Sequence, residues 1–154
     1  MYAILLALHS FVRWLVLASL LFTIYKSYQG WILNKPFTKF DNFIRHSTAT
    51  ISHVQFLIGL LLYYLSPIVD YFFKNFSEGV HNREIRFFGM EHSLMMFIAV
   101  SVISAGSTIA KKKVTDTEKF KTMAIWYTIA LFIIFFSIPW GFSPLVSRPY
   151  LRFF

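Results

Sequence analysis

The chain has 154 residues, enough for one domain, and 56% of them are hydrophobic while only 14% are charged. This composition excludes an ordinary soluble globule and indicates membrane spans. The absence of cysteine excludes disulfides, iron–sulfur clusters held by thiolates and covalently attached c-type haem. We assign the net charge of +8 to membrane topology and anionic lipid headgroups rather than to nucleic acid.

Four apolar segments follow one another along the chain, at about residues 3–25, 49–66, 90–110 and 122–142. Each is close to the ~20 residues that a helix needs to cross a hydrocarbon core. The first has no Lys or Arg before it and no clear cleavage site, so we interpret it as a retained span rather than a signal peptide. We therefore predict an all-α integral membrane protein, a single-domain four-helix bundle with up-down-up-down topology.

Local signals predict where the helices begin and end. Asp41 or Asn42 is the expected N-cap of an amphipathic entry to the second helix, and Pro67 is expected to kink or end that helix. The segment 77–82 is predicted to be an irregular loop. Breakers of the fourth helix follow near its end, at Pro139, Trp140, Gly141 and Pro144.

The distribution of Lys and Arg predicts the orientation. Nine of these residues lie in the two loops on one side of the bundle: Lys26, Lys35, Lys39, Arg45, Lys111, Lys112, Lys113, Lys119 and Lys121. The opposite side carries five: Lys74, Arg83, Arg86, Arg148 and Arg152. The positive-inside rule places the first side in the cytoplasm of a bacterial inner membrane, with both termini on the periplasmic side.

Ionisable side chains within spans are costly and usually face the bundle interior. His9 in the first helix and His92 in the third are expected at similar depths below the outer face. Two imidazoles in that position suit a b-type haem held between helices for electron transfer. His53, in the second helix, is expected near the inner face and marks a second site whose partner ligand is unclear.

Neighbouring side chains fit the same hypothesis. Small and flexible residues, among them Met96 and Gly106, follow His92 along one stripe of the third helix and would let a flat ring approach. Arg13 lies one turn from His9 and could pair with a haem propionate, as could Arg86, although Arg13 could instead pair with Glu91.

Other interpretations of these residues stay open. The histidines could be hydrogen-bonded core residues of a non-catalytic subunit within a larger membrane complex. A small transporter or quinone-binding protein could use Arg13, Gln55, Glu91 and His92 as its polar site. An enzyme acting alone is less expected than an electron-transfer protein or subunit.

Four segments carry a resemblance to a known family: HSFVRW at residues 9–14, HVQFLIG at 53–59, EHSLMM at 91–96 and IPW at 138–140. In this order and spacing the chain resembles small four-helix membrane proteins of Bacteroidetes that are labelled cytochrome b. The resemblance implies an inner-membrane protein with haem b, quinone or a redox complex as partner, and His9, His53 and His92 as candidate ligands.

The chain departs from that family pattern at the start of the fourth helix. The family has a Lys-His pair there, whereas this chain has Lys119 and Phe120. A second site at His53 would then be incomplete. His53 would bind alone, His46 or another residue would substitute, one haem only would be present, or the chain would keep the fold without haem.

Overall fold

A computed structural model describes residues 1–141, 143 and 146. Within that part of the chain every regular element is helical, which confirms the all-α prediction. The elements are α1 (Tyr2–Ile32), α2 (Lys39–Leu65), α3 (Pro67–Lys74), α4 (Phe76–Gly79), α5 (Arg83–Arg86), a π-helical turn (Phe87–Glu91), α6 (His92–Lys112) and α7 (Asp116–Ser137).

Four helical stretches of the described chain are long and apolar enough to cross a membrane. They are α1, α2, the continuous stretch Arg83–Lys112 and α7, with 31, 27, 30 and 22 residues. Large apolar side chains such as Phe22, Leu61 and Phe136 are exposed on their outer faces, as lipid contact requires. These features fit a multi-pass membrane protein.

Capping boxes set the starts of two of the long helices. The side chain of Thr38 accepts a hydrogen bond from the backbone of Asp41, and the Asp41 carboxylate accepts one from the backbone of Thr38. The N-cap of α2 is therefore Thr38, and the prediction of Asp41 or Asn42 was wrong by one turn. Thr115 and Glu118 form the same motif, so α7 begins at Asp116, earlier than its apolar part.

Proline sets the ends of two helices. Pro67 occupies the first turn of α3, directly after α2 ends at Leu65, as the sequence predicted. α7 ends at Ser137, before Pro139, and the indole Nε1 of Trp140 donates to the carbonyl of Phe135 at 2.7 Å.

Two further predictions concern the segment 77–82 and the end of the chain. Part of the segment predicted to be an irregular loop is the short helix α4. The positions Phe142, Pro144, Arg148 and Arg152, which entered the predicted span and charge count, lie outside the described residues.

The four long helices pack in neighbouring pairs: α1 with α2 and α7, and α6 with α2 and α7. The core between them contains fully buried side chains such as Leu20, Ile103 and Tyr127. Gly106 lets α6 approach α7, because a Cβ there would lie 2.4 Å from the Cβ of Trp126.

Hydroxyl groups join α1 to α2. The side chains of Thr23 and Thr48 share a hydrogen bond of 2.8 Å, and Thr48 also bonds to the carbonyl of Ser19 at 3.3 Å. Ser27 and Ser52, both buried, donate to the carbonyls of Thr23 and Thr48 within their own helices. This α1–α2 hydroxyl seam satisfies its own polar groups in the middle of an apolar bundle.

Candidate functional site

Two histidines from different helices face each other in the interior of the bundle. His9 lies in α1 and His92 begins α6, and their ring centroids are 6.4 Å apart with an angle of 72° between the ring planes. Because α1 packs mainly against α2 and α7, this pair meets across the middle of the bundle. The structure thus brings together the two residues that the sequence placed at one site.

The separation can be compared with known coordination geometry. Two imidazoles on opposite faces of one metal ion, each with a metal–nitrogen bond of about 2 Å, have ring centroids about 6.3 Å apart. The observed 6.4 Å is close to that value. Two histidines suffice for a bis-imidazole haem, whereas no group of three or more metal-binding side chains occurs among the described residues.

His92 is oriented by the end of α7. Its Nδ1 lies 2.8 Å from the carbonyl oxygen of Ser137. Pro139 ends α7 there, so this carbonyl has no partner farther along the helix and is available to the imidazole. A carbonyl can only accept, so Nδ1 carries the proton and Nε2 keeps its lone pair. Histidines that bind metals are commonly held in this way.

His9 is held by α2. A Cβ on Gly59 would lie 3.2 Å from Cε1 of His9, so the absence of a side chain at Gly59 makes room for the imidazole. Gln55, one turn earlier, donates from Nε2 to the carbonyl of His9 at 2.9 Å. Nδ1 of His9 and Oε1 of Gln55 are both buried and make no hydrogen bond within the described structure.

A π-helical turn precedes His92, and the sequence analysis missed it. The backbone amide of His92 donates to the carbonyl of Phe87, five residues back, and the rings of Phe87 and Phe88 lie 5.6 and 6.3 Å from the imidazole. Turns of this kind often mark functional positions in helices. Gly89 was the available signal, since a glycine inside an apolar helical run needs a local explanation.

Two aromatic residues fix the π-helical turn from outside. The hydroxyl of Tyr63 in α2 donates to the carbonyl of Gly89 at 2.6 Å. Phe72 in α3 packs so closely that a Cβ on Gly89 would lie 2.4 Å from its ring. The orientation of His92 therefore depends on α2 and α3 as well as on α7.

Arg13 supplies positive charge beside the two histidines. Its guanidinium interacts electrostatically with both imidazoles and lies 5.5 Å from the ring of Trp14. Glu91, a suggested partner, instead forms an ion pair of 2.6 Å with Arg86, whose guanidinium also donates to the carbonyl of Val80. An Arg13–Glu91 pair is not among the ion pairs of the described residues.

The stripe predicted along α6 divides between two locations. Met96 lies one turn from His92 and packs against the central core. Gly106 is about 21 Å farther along the helix from His92, at 1.5 Å per residue, and contacts Trp126. The structure does not bring Gly106 to the histidine pair.

His53 lies in a different part of the bundle. Its Nε2 is 2.9 Å from Oγ of Ser104, which itself donates to the carbonyl of Val100, so Nε2 of His53 is the donor. His53 and His46 both line a cavity between α2 and α6. Phe120 is not among the described residues that line this cavity, and its ring packs against Gly30 and Phe37.

The chain was also compared with known proteins. No protein-family model matches it, and searches of curated proteins and of solved structures found no match either.

Proposed function

We propose that this protein binds one haem b between His9 and His92 and transfers electrons within the membrane. The observation that carries the proposal is the 6.4 Å separation of the two imidazole centroids inside the bundle. A haem iron with two histidine ligands exchanges single electrons, which is the chemistry the group would supply.

The surrounding residues support that role. Ser137 holds Nδ1 of His92, which leaves Nε2 as the ligand atom. Gly59 and Gln55 position His9, and Arg13 adds a charge suited to a propionate. Quinone or a redox membrane complex is the proposed exchange partner, with self-association of the chain as a further arrangement.

We also propose an up-down-up-down bundle in a bacterial inner membrane, with both termini on the periplasmic side. Two contacts support opposite directions for α1 and α2: His9 lies at Gly59, and Thr23 lies at Thr48. The excess of Lys and Arg on the opposite side supports the orientation.

The natural absence of cysteine gives a direct test of this orientation. Ser77→Cys and Val114→Cys each introduce a single thiol at an exposed position, and Val114 is 88% exposed. In intact cells, we expect an impermeant maleimide to label residue 77 and to reach residue 114 only after the membrane is opened. Labelling with the opposite preference would reverse the orientation, and equal labelling of both in intact cells would contradict the topology.

Absorption spectra test the haem proposal. The purified full chain should show a sharp Soret band and, after dithionite, a low-spin α band, with one haem per chain in the pyridine haemochrome assay. His9→Ala and His92→Ala should each abolish the low-spin spectrum. His81→Ala is the matched control, because that imidazole lies in an exposed turn and bonds to the carbonyl of Ser77.

The outcomes separate the proposal from its alternative. Loss of the low-spin spectrum in His9→Ala and His92→Ala, with an unchanged spectrum in His81→Ala, supports haem binding at the pair. A wild-type protein that stays colourless when supplied with haem would overturn it. In that case the histidines act as core residues of a structural subunit, with His92 hydrogen-bonded to Ser137.

A further inference from the structure

Another group of polar side chains lies at the other end of the bundle, far from His9 and His92. There a cavity of about 510 Å³ lies between α2 and α6. The residues that line it are Arg45, His46, Ala49, Thr50, His53, Ser104, Ser107, Thr108, Lys111 and Lys112. We propose that this cavity binds a phosphate group, carried by an anionic phospholipid or free in solution.

The lining chemistry is that of an anion site. Arg45, Lys111 and Lys112 are cationic, and His46 and His53 add imidazoles. Hydroxyl groups come from the neighbouring Ser and Thr residues, while no carboxylate is among the described lining residues. Phosphate oxygens accept hydrogen bonds from groups of these kinds, and charged donors form the strongest bonds.

Arg45 gives the cavity a fixed positive wall. This side chain is only 5% exposed, and its guanidinium donates to the carbonyl and the hydroxyl of Ser107 and to Oδ1 of Asn42. All of these partners are neutral, so the charge of Arg45 is not cancelled by them. The hydroxyl of Tyr127 donates to the carbonyl of Arg45 at 2.9 Å and holds its backbone.

The nearest carboxylate in the sequence is otherwise engaged. Asp41 lies one turn before Arg45 and accepts hydrogen bonds from the backbone and the hydroxyl of Thr38. Its other oxygen lies 3.9 Å from Nζ of Lys26. Asp41 is also absent from the described residues that line the cavity, so the charged groups of that lining are the three cations.

The two lysines stand at the mouth of the cavity. Lys111 and Lys112 are exposed, and they end α6, where its apolar segment finishes. Ser104, at the other end of the lining, is about 12 Å deeper along the helix axis. A basic cavity that opens between transmembrane helices at headgroup level suits a phosphate on a lipid, and its volume lies within the ~300–1,000 Å³ range of ligand sites.

The experiment uses the full chain in nanodiscs of phosphatidylcholine, with or without a fraction of phosphatidylglycerol. The apparent melting temperature is followed as phosphatidylglycerol increases. The test variant is Lys111→Gln with Lys112→Gln. The matched control is Lys113→Gln with Lys121→Gln, which removes the same charge at the same end from residues outside the cavity lining.

We expect phosphatidylglycerol to raise the melting temperature of the wild type and the control. The test variant should need roughly tenfold more phosphatidylglycerol for the same effect, because Lys111 and Lys112 line the cavity and charged donors form the strongest hydrogen bonds to phosphate, whereas Lys113 and Lys121 are not among the lining residues. His46→Gln should weaken the response more mildly, and it provides a second variant that leaves both lysines in place.

A parallel titration in neutral detergent uses inorganic phosphate, with chloride at equal ionic strength. Stabilisation by both phosphate and phosphatidylglycerol assigns the site to phosphate in general. Stabilisation by phosphatidylglycerol alone assigns it to the lipid. Equal weakening in the test and control variants, or no response to either probe, would overturn the proposal whatever the haem content of the protein.

Discussion

The hydrogen bond between Tyr63 and the π-helical turn offers a sharp test of how His92 is positioned. Tyr63→Phe removes one hydroxyl, which donates to the carbonyl of Gly89 at 2.6 Å. The ring is retained, so its packing against Phe73 is preserved. The change therefore isolates one contact of the turn.

The structure sets the size of the expected effect. The carbonyl of Gly89 lies in a π-helical turn, and its hydrogen bond with Tyr63 crosses between two helices. Hydrogen bonds of this kind contribute about 1 kcal/mol to stability, both in water and between membrane helices. We expect the free energy of unfolding to fall by about 1 kcal/mol, or about fivefold in the equilibrium constant, with a melting temperature about 2–4 °C lower.

Tyr64→Phe is the matched control. It removes the same hydroxyl from the next residue, which is 88% exposed. Thermal unfolding of both variants in one detergent gives the comparison, and the absorption spectrum of the haem-loaded protein gives a second readout. Tyr63→Phe should also weaken or broaden the low-spin bands, since the turn it stabilises leads directly into His92.

Equal melting temperatures for the two variants would refute the reasoning about stability. A lower melting temperature in Tyr63→Phe with an unchanged spectrum would show that the hydrogen bond stabilises the fold without affecting the haem ligand. The link between the π-helical turn and the ligand would then be wrong.

Two further substitutions separate packing from site chemistry. Gly106→Ala should lower the melting temperature, because a Cβ there clashes with Trp126. Overpacking of this kind costs about 1–3 kcal/mol, more than the gain of about 1 kcal/mol from a better helix former. The haem content should stay constant, and a loss of haem would contradict the conclusion that Gly106 lies far from the histidine pair. Gln55→Leu removes the contact with His9, and transfer of haem to a haem-free globin should become about tenfold faster. An unchanged transfer rate would show that Gln55 does not position the ligand.

Much of the helical architecture could be predicted from the sequence, because lipid restricts the backbone to few solutions. Apolar runs near 20 residues identify four spans, and Pro67 ends a helix by removing a backbone donor. The helix starts were harder to predict. Capping boxes at Thr38 and Thr115 carry the polar first turns of α2 and α7 beyond the apolar segments, so hydropathy alone places both starts too late.

The site could be predicted only in part. Depth along each span brought His9 and His92 together, because that estimate needs only the rise per residue. The groups that contact the two imidazoles could not be predicted from depth along the spans. The carbonyl of Ser137 and the π-helical turn are backbone features, and backbone groups carry no residue-type signal. Gly106 was grouped with His92 because both share one face, although the helix carries them far apart.

The α1–α2 hydroxyl seam has a consequence for assembly in the bilayer. Lipid tails are as apolar as leucine, so an apolar side chain has almost the same free energy against lipid as against another helix. The hydrophobic effect therefore does not fix how far one span is shifted along its neighbour. A shift of one helical turn would separate Thr23 from Thr48 and would leave the two hydroxyls without each other. The α1–α2 hydroxyl seam thus favours one axial position of α1 relative to α2. The same axial position sets Gly59 opposite His9.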